Sequence, residues 1–274
     1  MATAMPNAFT MVHSLDGRGI DAAWFVRGLG ADALSVDLHG LMELLGGTEE
    51  AASDSGTERF SVVRVCRGAT LAREGSRGQM LYIVQSGSFK TVKTAEDGYE
   101  HVLAFSWRSD LIGYDALYRE HYVFSAVALE DSRVIALPMA GLSALRQRSP
   151  ALDAALQGLI ARQLGHAGEI AEVMSAVAAD ARLARFLVQL SARMVERGQS
   201  PRRLLLRMSR RDIANHLGLA HETISRSFRL LSDSGCLRVD NREIEILDPA
   251  GLRRCARSTR GAAEEMSPAL ACAA

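Results

Sequence analysis

Residues 208–235, MSRRDIANHLGLAHETISRSFRLLSDSG, leave the backbone few choices. Ser209 stands three residues before Asp212, the spacing at which a hydroxyl and a carboxylate cap a helix start reciprocally. Ile213, Ala214 and Leu217 follow at helical spacing. Gly218 then breaks the pattern, and glycine takes the left-handed conformation of a tight turn at least cost. Helical spacing resumes at His221, with Ile224, Phe228 and Leu231 on one face and Gly235 as the stop. Two helices this short cannot bury their apolar stripes alone, so they must close on each other with Leu219 between them. The stretch therefore predicts a helix-turn-helix. Behind it, CLRV, DNR and EIEIL read as a hairpin with a polar turn, which adds a wing.

The outward face of the second helix carries His221, Glu222, Ser225 and Arg226 near its start. A major groove admits a helix, and this end would meet the base edges. Arginine can donate twice to guanine O6 and N7, and glutamate can accept from a cytosine amino group. The competing reading is a surface ion pair of ~0.3–0.5 kcal/mol. An acid is of no use against phosphate, whereas an acid and a base one turn apart suit base reading. Ser209, Arg210, Arg211, Thr223, Arg229, Arg238 and Arg242 are the candidate phosphate contacts. Charge agrees: the chain has no net charge, yet residues 181–260 hold seventeen arginines, no lysine and eight acids. A basic module on a neutral chain points to a partner bearing phosphates, here double-stranded DNA.

Upstream the periods change. FSVVRV, MLYIVQSG, SFKTVKT, EHVLAFS, VFSAVALE and SRVIALP are short β-rich runs, separated by polar and glycine-containing turns between residues 60 and 138. Closely spaced short strands of this kind predict a sandwich or jelly-roll-like barrel. Helical spacing returns at residue 149. Leu152, Leu156, Leu159, Gln163, His166, Ile170, Val173 and Val177 follow one another at alternating steps of four and three. That is a heptad seam, and between a barrel and a basic module it predicts a helix that pairs two copies into a homodimer. An amphipathic helix packed within one chain is the alternative. In the paired seam, Gln163 and His166 would set register and oligomer state rather than bind a ligand. A further helix is expected over residues 179–197, and one or two short ones between residues 22 and 45.

Barrel, long helix and DIANHLGLAHETISRSFRLLSDSGCL together resemble the CRP/FNR family of bacterial transcription regulators, in its FNR/FixK branch. The likeness spans roughly residues 55–250, and Glu222, Ser225 and Arg226 reproduce that branch's E-x-x-S-R signature. The resemblance implies an α+β architecture: a cyclic-nucleotide-binding-type β-roll, a long dimerisation helix and a C-terminal winged helix-turn-helix. It also implies a TTGAT-like palindromic operator and RNA polymerase as a partner. The corresponding segments are an N-terminal extension (1–55), the roll (56–148), the dimerisation helix (149–178), the DNA module (179–255) and a disordered tail (256–274).

Two departures bear on the effector. FNR-type members hold an iron–sulfur cluster through N-terminal cysteines, and residues 1–65 contain none. The nucleotide-binding branch needs an arginine on the phosphate, and here Gly113-Tyr114-Asp115-Ala116-Leu117 is followed by Val123-Phe124-Ser125 in its place. Neither a cluster nor cAMP is expected. Haem, through His101, His121 or His166, is the alternative sensor reading, against the simpler one that these histidines sit on the surface or pack. Cys236 is a candidate redox thiol, with core packing as the alternative, and Cys66 is expected to pack in the barrel.

Other classes are set aside. The four cysteines are scattered without CxxC spacing, which argues against disulfides and a zinc site. No apolar run reaches the ~18 residues of a membrane span, and no export signal opens the chain, so the expected setting is the cytoplasm. No catalytic constellation is present, so no enzyme is predicted.

Overall fold

The computed structural model describes residues 34–46 and 58–258. Most of the N-terminal extension, the polar loop after residue 46 and the tail from residue 259 lie outside the described residues. The chain divides into two compact units, Met1–Gln163 and Leu164–Ala274.

The first unit is a β-roll. A five-stranded sheet runs in the order β1 (Ser35–Asp37), β2 (Arg59–Val65), β9 (Ser132–Pro138), β4 (Met80–Ser86), β7 (Leu111–Ile112). A four-stranded sheet runs β3 (Thr70–Ala72), β8 (Ser125–Ala128), β5 (Phe89–Thr94), β6 (Glu100–Ser106). All pairings are antiparallel. Why MLYIV lacks polar alternation is now plain: β4 is covered on both faces. Met80, Tyr82 and Val84 join the core between the sheets, with Phe89 and Ala126. Leu81 and Ile83 point the other way, with Ile135 and Leu137 of β9. A strand buried on both sides reads as an unbroken apolar run.

That second face is closed by helices α1 (Leu38–Leu44), α3 (Leu142–Arg148) and the start of α4 (Pro150–Met174). Here the expected seam needs correcting. Leu152, Leu156 and Leu159 are buried in the roll's own second core, beside Leu41, Leu81 and Leu137. A heptad records only that something apolar faces the helix, and here that surface is the chain's own sheet. Val173 is likewise buried within the chain, and Val177 falls outside the helix, which ends at Met174. The unit boundary falls inside α4, after Gln163.

The second unit holds the end of α4, then α5 (Ala179–Glu196), β10 (Arg203–Leu205), α6 (Arg210–His216), α7 (His221–Asp233), β11 (Leu237–Asp240), β12 (Glu243–Ile246) and α8 (Pro249–Arg257). The strands form a sheet in the order β10-β12-β11. Leu183, Phe186, Leu187 and Leu190 of α5 are buried, as its sequence spacing requires. The helix α8 has no counterpart in the sequence reading, which ended the module at residue 255. Asp248 caps it by accepting from the Ala250 amide (3.0 Å), Pro249 opens it, and Gly251 lets it approach Cys236. Among the described residues, no helix is long and apolar enough to cross a membrane.

Candidate nucleic-acid interface

The helix-turn-helix is fixed by backbone hydrogen bonds that the sequence anticipates. Ser209 Oγ accepts from the Asp212 amide (3.1 Å) while Asp212 Oδ2 accepts from the Ser209 amide (2.9 Å). At the end of α6 the Gly218 amide donates to the Asn215 carbonyl and the Leu219 amide to that of Ala214. The end of α7 repeats the pattern, Gly235 to Ser232 and Cys236 to Leu231. Both are Schellman motifs, and both glycines have positive φ (62° and 76°).

Ile224, Phe228 and Leu231 bury one face of α7, as expected. His221, Glu222, Ser225 and Arg226 occupy the opposite face and are all exposed. Ser225 Oγ donates to the His221 carbonyl (3.1 Å). Among the described residues, neither Glu222 nor Arg226 is held in an ion pair, so both side chains are free to meet a partner.

The candidate phosphate contacts divide. Arg211 is exposed, and Thr223 is half-buried beside the reading face. Arg229 lies 3.6 Å from Asp233, one turn on. Arg238 pairs with Glu245 across the wing at 2.6 Å, and Arg242 donates to the Arg207 carbonyl (3.3 Å). The hydroxyl of Ser209 is engaged in its helix cap.

Arg210, expected as a phosphate contact, instead packs inward. Its guanidinium carbon stands 3.4 Å from the centroid of the Phe228 ring, and its Nη2 donates to the Asn241 carbonyl at the wing turn (3.1 Å). Desolvation pulls its pKa down to about 10, and its Nη1 is buried without a partner. Arg210 thus braces α6, α7 and the wing together. Spacing alone could not show this, because Phe228 and Asn241 are eighteen and thirty-one positions away.

In the roll, α2 (Ala116–Arg119) follows Asp115, whose carboxylate accepts from the amides of Val123 (2.6 Å) and Phe124 (3.3 Å). Burial raises the Asp115 pKa although those amides oppose the shift. Tyr122 Oη donates to the Met80 carbonyl (2.8 Å) and packs beside Tyr82, with both rings buried. The three candidate haem histidines lie on different elements. His101 of β6 packs edge-on against Tyr99, the backbone of His121 pairs with that of Arg77 before β8, and His166 is half-buried on α4. Cys236 is buried, with Sγ 3.1 Å from where a Cβ on Gly251 would lie, and Cys66 is half-buried in the roll.

Two family models match the chain: a cyclic nucleotide-binding domain over residues 62–149 and a Crp-like helix-turn-helix domain over residues 181–255. The transcriptional activator protein FnrA of Stutzerimonas stutzeri is 36% identical over 186 residues, 68% of this chain and 76% of its own. The fumarate and nitrate reduction regulatory protein of Escherichia coli K12 is 36% identical over 197 residues, 72% and 79% of the two chains. FixK2 of Bradyrhizobium japonicum shares the fold, with a TM-score of 0.64 at 24% identity over 71% of this chain and 96% of that one. With the β-roll, the long helix and the winged helix all in place, the chain belongs to the CRP/FNR family of transcription regulators.

Proposed function

We propose that this regulator acts as a cytoplasmic homodimer that reads a TTGAT-like palindrome with α7 and engages RNA polymerase from the bound site. The carrying observation is the exposed face at the start of α7, where His221, Glu222, Ser225 and Arg226 stand clear while Ile224 and Phe228 anchor the helix. Arg226 donates to a guanine, Glu222 accepts from the cytosine of the opposite strand, and Arg211 and Arg242 meet phosphates on either side.

Pairing through α4 rests on the part of the helix that the chain leaves open. Leu164 is 70% exposed, and Ala161, Gly165, Gly168 and Ala171 beside it are exposed and small. A second copy of the same helix can approach such a surface closely. Ile170 and His166 flank it at half-buried positions. The two recognition helices then enter successive major grooves ~34 Å apart.

DNA binding in this reading needs neither a cyclic nucleotide nor an iron–sulfur cluster, and no haem. The residues of the roll do not suit a nucleotide phosphate: the Asp115 carboxylate already takes the Val123 and Phe124 amides, and Val123-Phe124-Ser125 stand where the phosphate arginine would lie. A second anion there would face a carboxylate. A cluster lacks its thiolates, since residues 1–65 contain no cysteine.

Selection of random DNA by the purified protein, in air and without added ligand, tests the whole reading. It should return a palindrome with two TTGAT-like half-sites. Enrichment only after a cyclic nucleotide, haem or anaerobic iron and sulfide is added would overturn it.

A further inference from the structure

The last turns of α4 contain no basic side chain of their own. One stripe of α5 supplies cations and amide donors to the carbonyls there and in the linker. Arg182, Arg185, Gln189 and Arg193 follow one another at three and four residues, so all project from the same side. Arg193 Nη2 binds Glu169 Oε2 (2.7 Å), and Gln189 Nε2 donates to the Glu169 carbonyl (3.2 Å). Arg185 Nη1 donates to the Glu172 carbonyl (2.7 Å) and to Ser175 Oγ (2.9 Å). Arg182 Nε donates to the Ala176 carbonyl in the linker (2.7 Å).

Two of these arginines reach further. Arg182 Nη1 also donates to the Leu217 carbonyl (3.2 Å), at the end of α6 and immediately before the turn glycine. Arg185 Nε donates to the Ala256 carbonyl (2.6 Å) in the last turn of α8. Each guanidinium thus ties the end of α4 or its linker to the carboxyl end of a helix in the winged module. The positive charge also suits those helix ends. Met174 adds an apolar contact at the same place, since a Cβ on Gly218 would lie 2.9 Å from its Cε.

A planar fork that bonds two carbonyls from different elements resists rotation in a way that a single flexible contact does not. The sensitivity of DNA reading to such rotation is high. Along a thirteen-residue helix of ~20 Å, an error of ~10° moves the far end by ~3.5 Å, about one base-pair step.

We propose that Arg182 and Arg185 are positioning residues for DNA recognition. By locking the helix-turn-helix to the end of α4 they set the half-site separation that the dimer accepts. This inference rests on the dimeric reading above, and it assigns the spacing rule to two side chains that touch no DNA.

The test is affinity for palindromes with the selected spacing and with one base pair added or removed. Wild type, Arg182→Met, Arg185→Met and Arg182→Lys are compared. Wild type should lose at least tenfold on either change. In the two methionine variants and in Arg182→Lys that penalty should shrink below threefold, while the preference among single-base variants within a half-site is kept. Lysine should fail to rescue because one ammonium on a flexible stem does not hold two carbonyls in a fixed plane. A uniform loss at all three spacings, with the tenfold penalty intact, would mean a merely structural role and would overturn the proposal. If a methionine variant melts before binding can be read, Arg182→Gln and Arg185→Gln face the same criterion. Should wild type itself ignore spacing, the dimeric reading fails and this inference falls with it.

Discussion

Replacing Arg210 by methionine keeps a long, unbranched side chain over the Phe228 ring and removes the guanidinium. The stack at 3.4 Å contributes ~0.5–2 kcal/mol at a site of this kind. The bond to the Asn241 carbonyl adds ~1.5–3 kcal/mol as a charged hydrogen bond. Against these stands the buried Nη1 without a partner, which costs ~1–3 kcal/mol. Burial also disfavours the charged form, as the lowered pKa records. The terms nearly offset, so Arg210→Met should lie within ~1 kcal/mol of wild type. Arg210→Ala, which also uncovers Phe228, should cost ~2–3 kcal/mol. Thermal melts give these values, and binding at several salt concentrations gives the second half of the test. A brace leaves the salt slope of Arg210→Met close to that of wild type. A slope lower by about one ion per half-site, restored by Arg210→Lys, would show that Arg210 meets a phosphate and that its inward position is not the bound one.

Leu156→Ala should destabilise the first unit by ~2–5 kcal/mol, because that leucine is in the roll's own core. Leu164→Asp should split the dimer, seen by sedimentation, with the melts of both units unchanged; a dimer surviving it would remove the proposed pairing surface. Gly218→Ala and Gly235→Ala each force an alanine to positive φ and cost ~1 kcal/mol. Only the first also meets Met174, so it should cost more, and equal melts would deny that contact. Asp115→Asn keeps an acceptor for the Val123 and Phe124 amides and removes a buried charge. The Asp115 pKa is raised in the fold, so its stabilising effect is full below the ordinary carboxylate range near ~4 and is lost as pH rises through the raised value. The variant should therefore match or exceed wild type at pH 7, with the gap closing toward pH 4. Asp115→Ala strands two amides and should lose ~1–3 kcal/mol for each that finds no water. An asparagine variant as unstable as the alanine one would mean that the charge itself is needed.

What could be read from the sequence was whatever a local pattern determines. The caps at Ser209 and Gly235 and the inward trio Ile224, Phe228 and Leu231 depend only on neighbours within a few residues, and the structure places them as expected. The long strands were legible because a run such as MLYIV is buried on both faces. The heptad of α4 was legible as a helix but not in its partner, since Leu152, Leu156 and Leu159 would look the same against a second copy as against their own sheet. Short elements escaped for a different reason. Strand β7 has two residues, and α8 mixes a glycine with three arginines in nine positions. Arg210, Arg182 and Arg185 counted as surface charge because their partners are backbone carbonyls and a ring distant in sequence. A hint was available for α5: arginines at 182, 185 and 193, with Gln189, fall on one helix face that solvent alone does not require.

The most direct test of base reading by α7 is the affinity of Arg226→Ala for the selected palindrome and for each single-base variant, at two salt concentrations. Loss of one bidentate guanine contact should cost ~1–3 kcal/mol per half-site and flatten the preference at that base pair, with the salt slope preserved. Arg242→Ala should instead weaken every sequence alike and lower the slope by about one ion per half-site. If Arg226→Ala weakens all sequences equally while the base preference survives, α7 does not read the bases and the proposed interface is wrong.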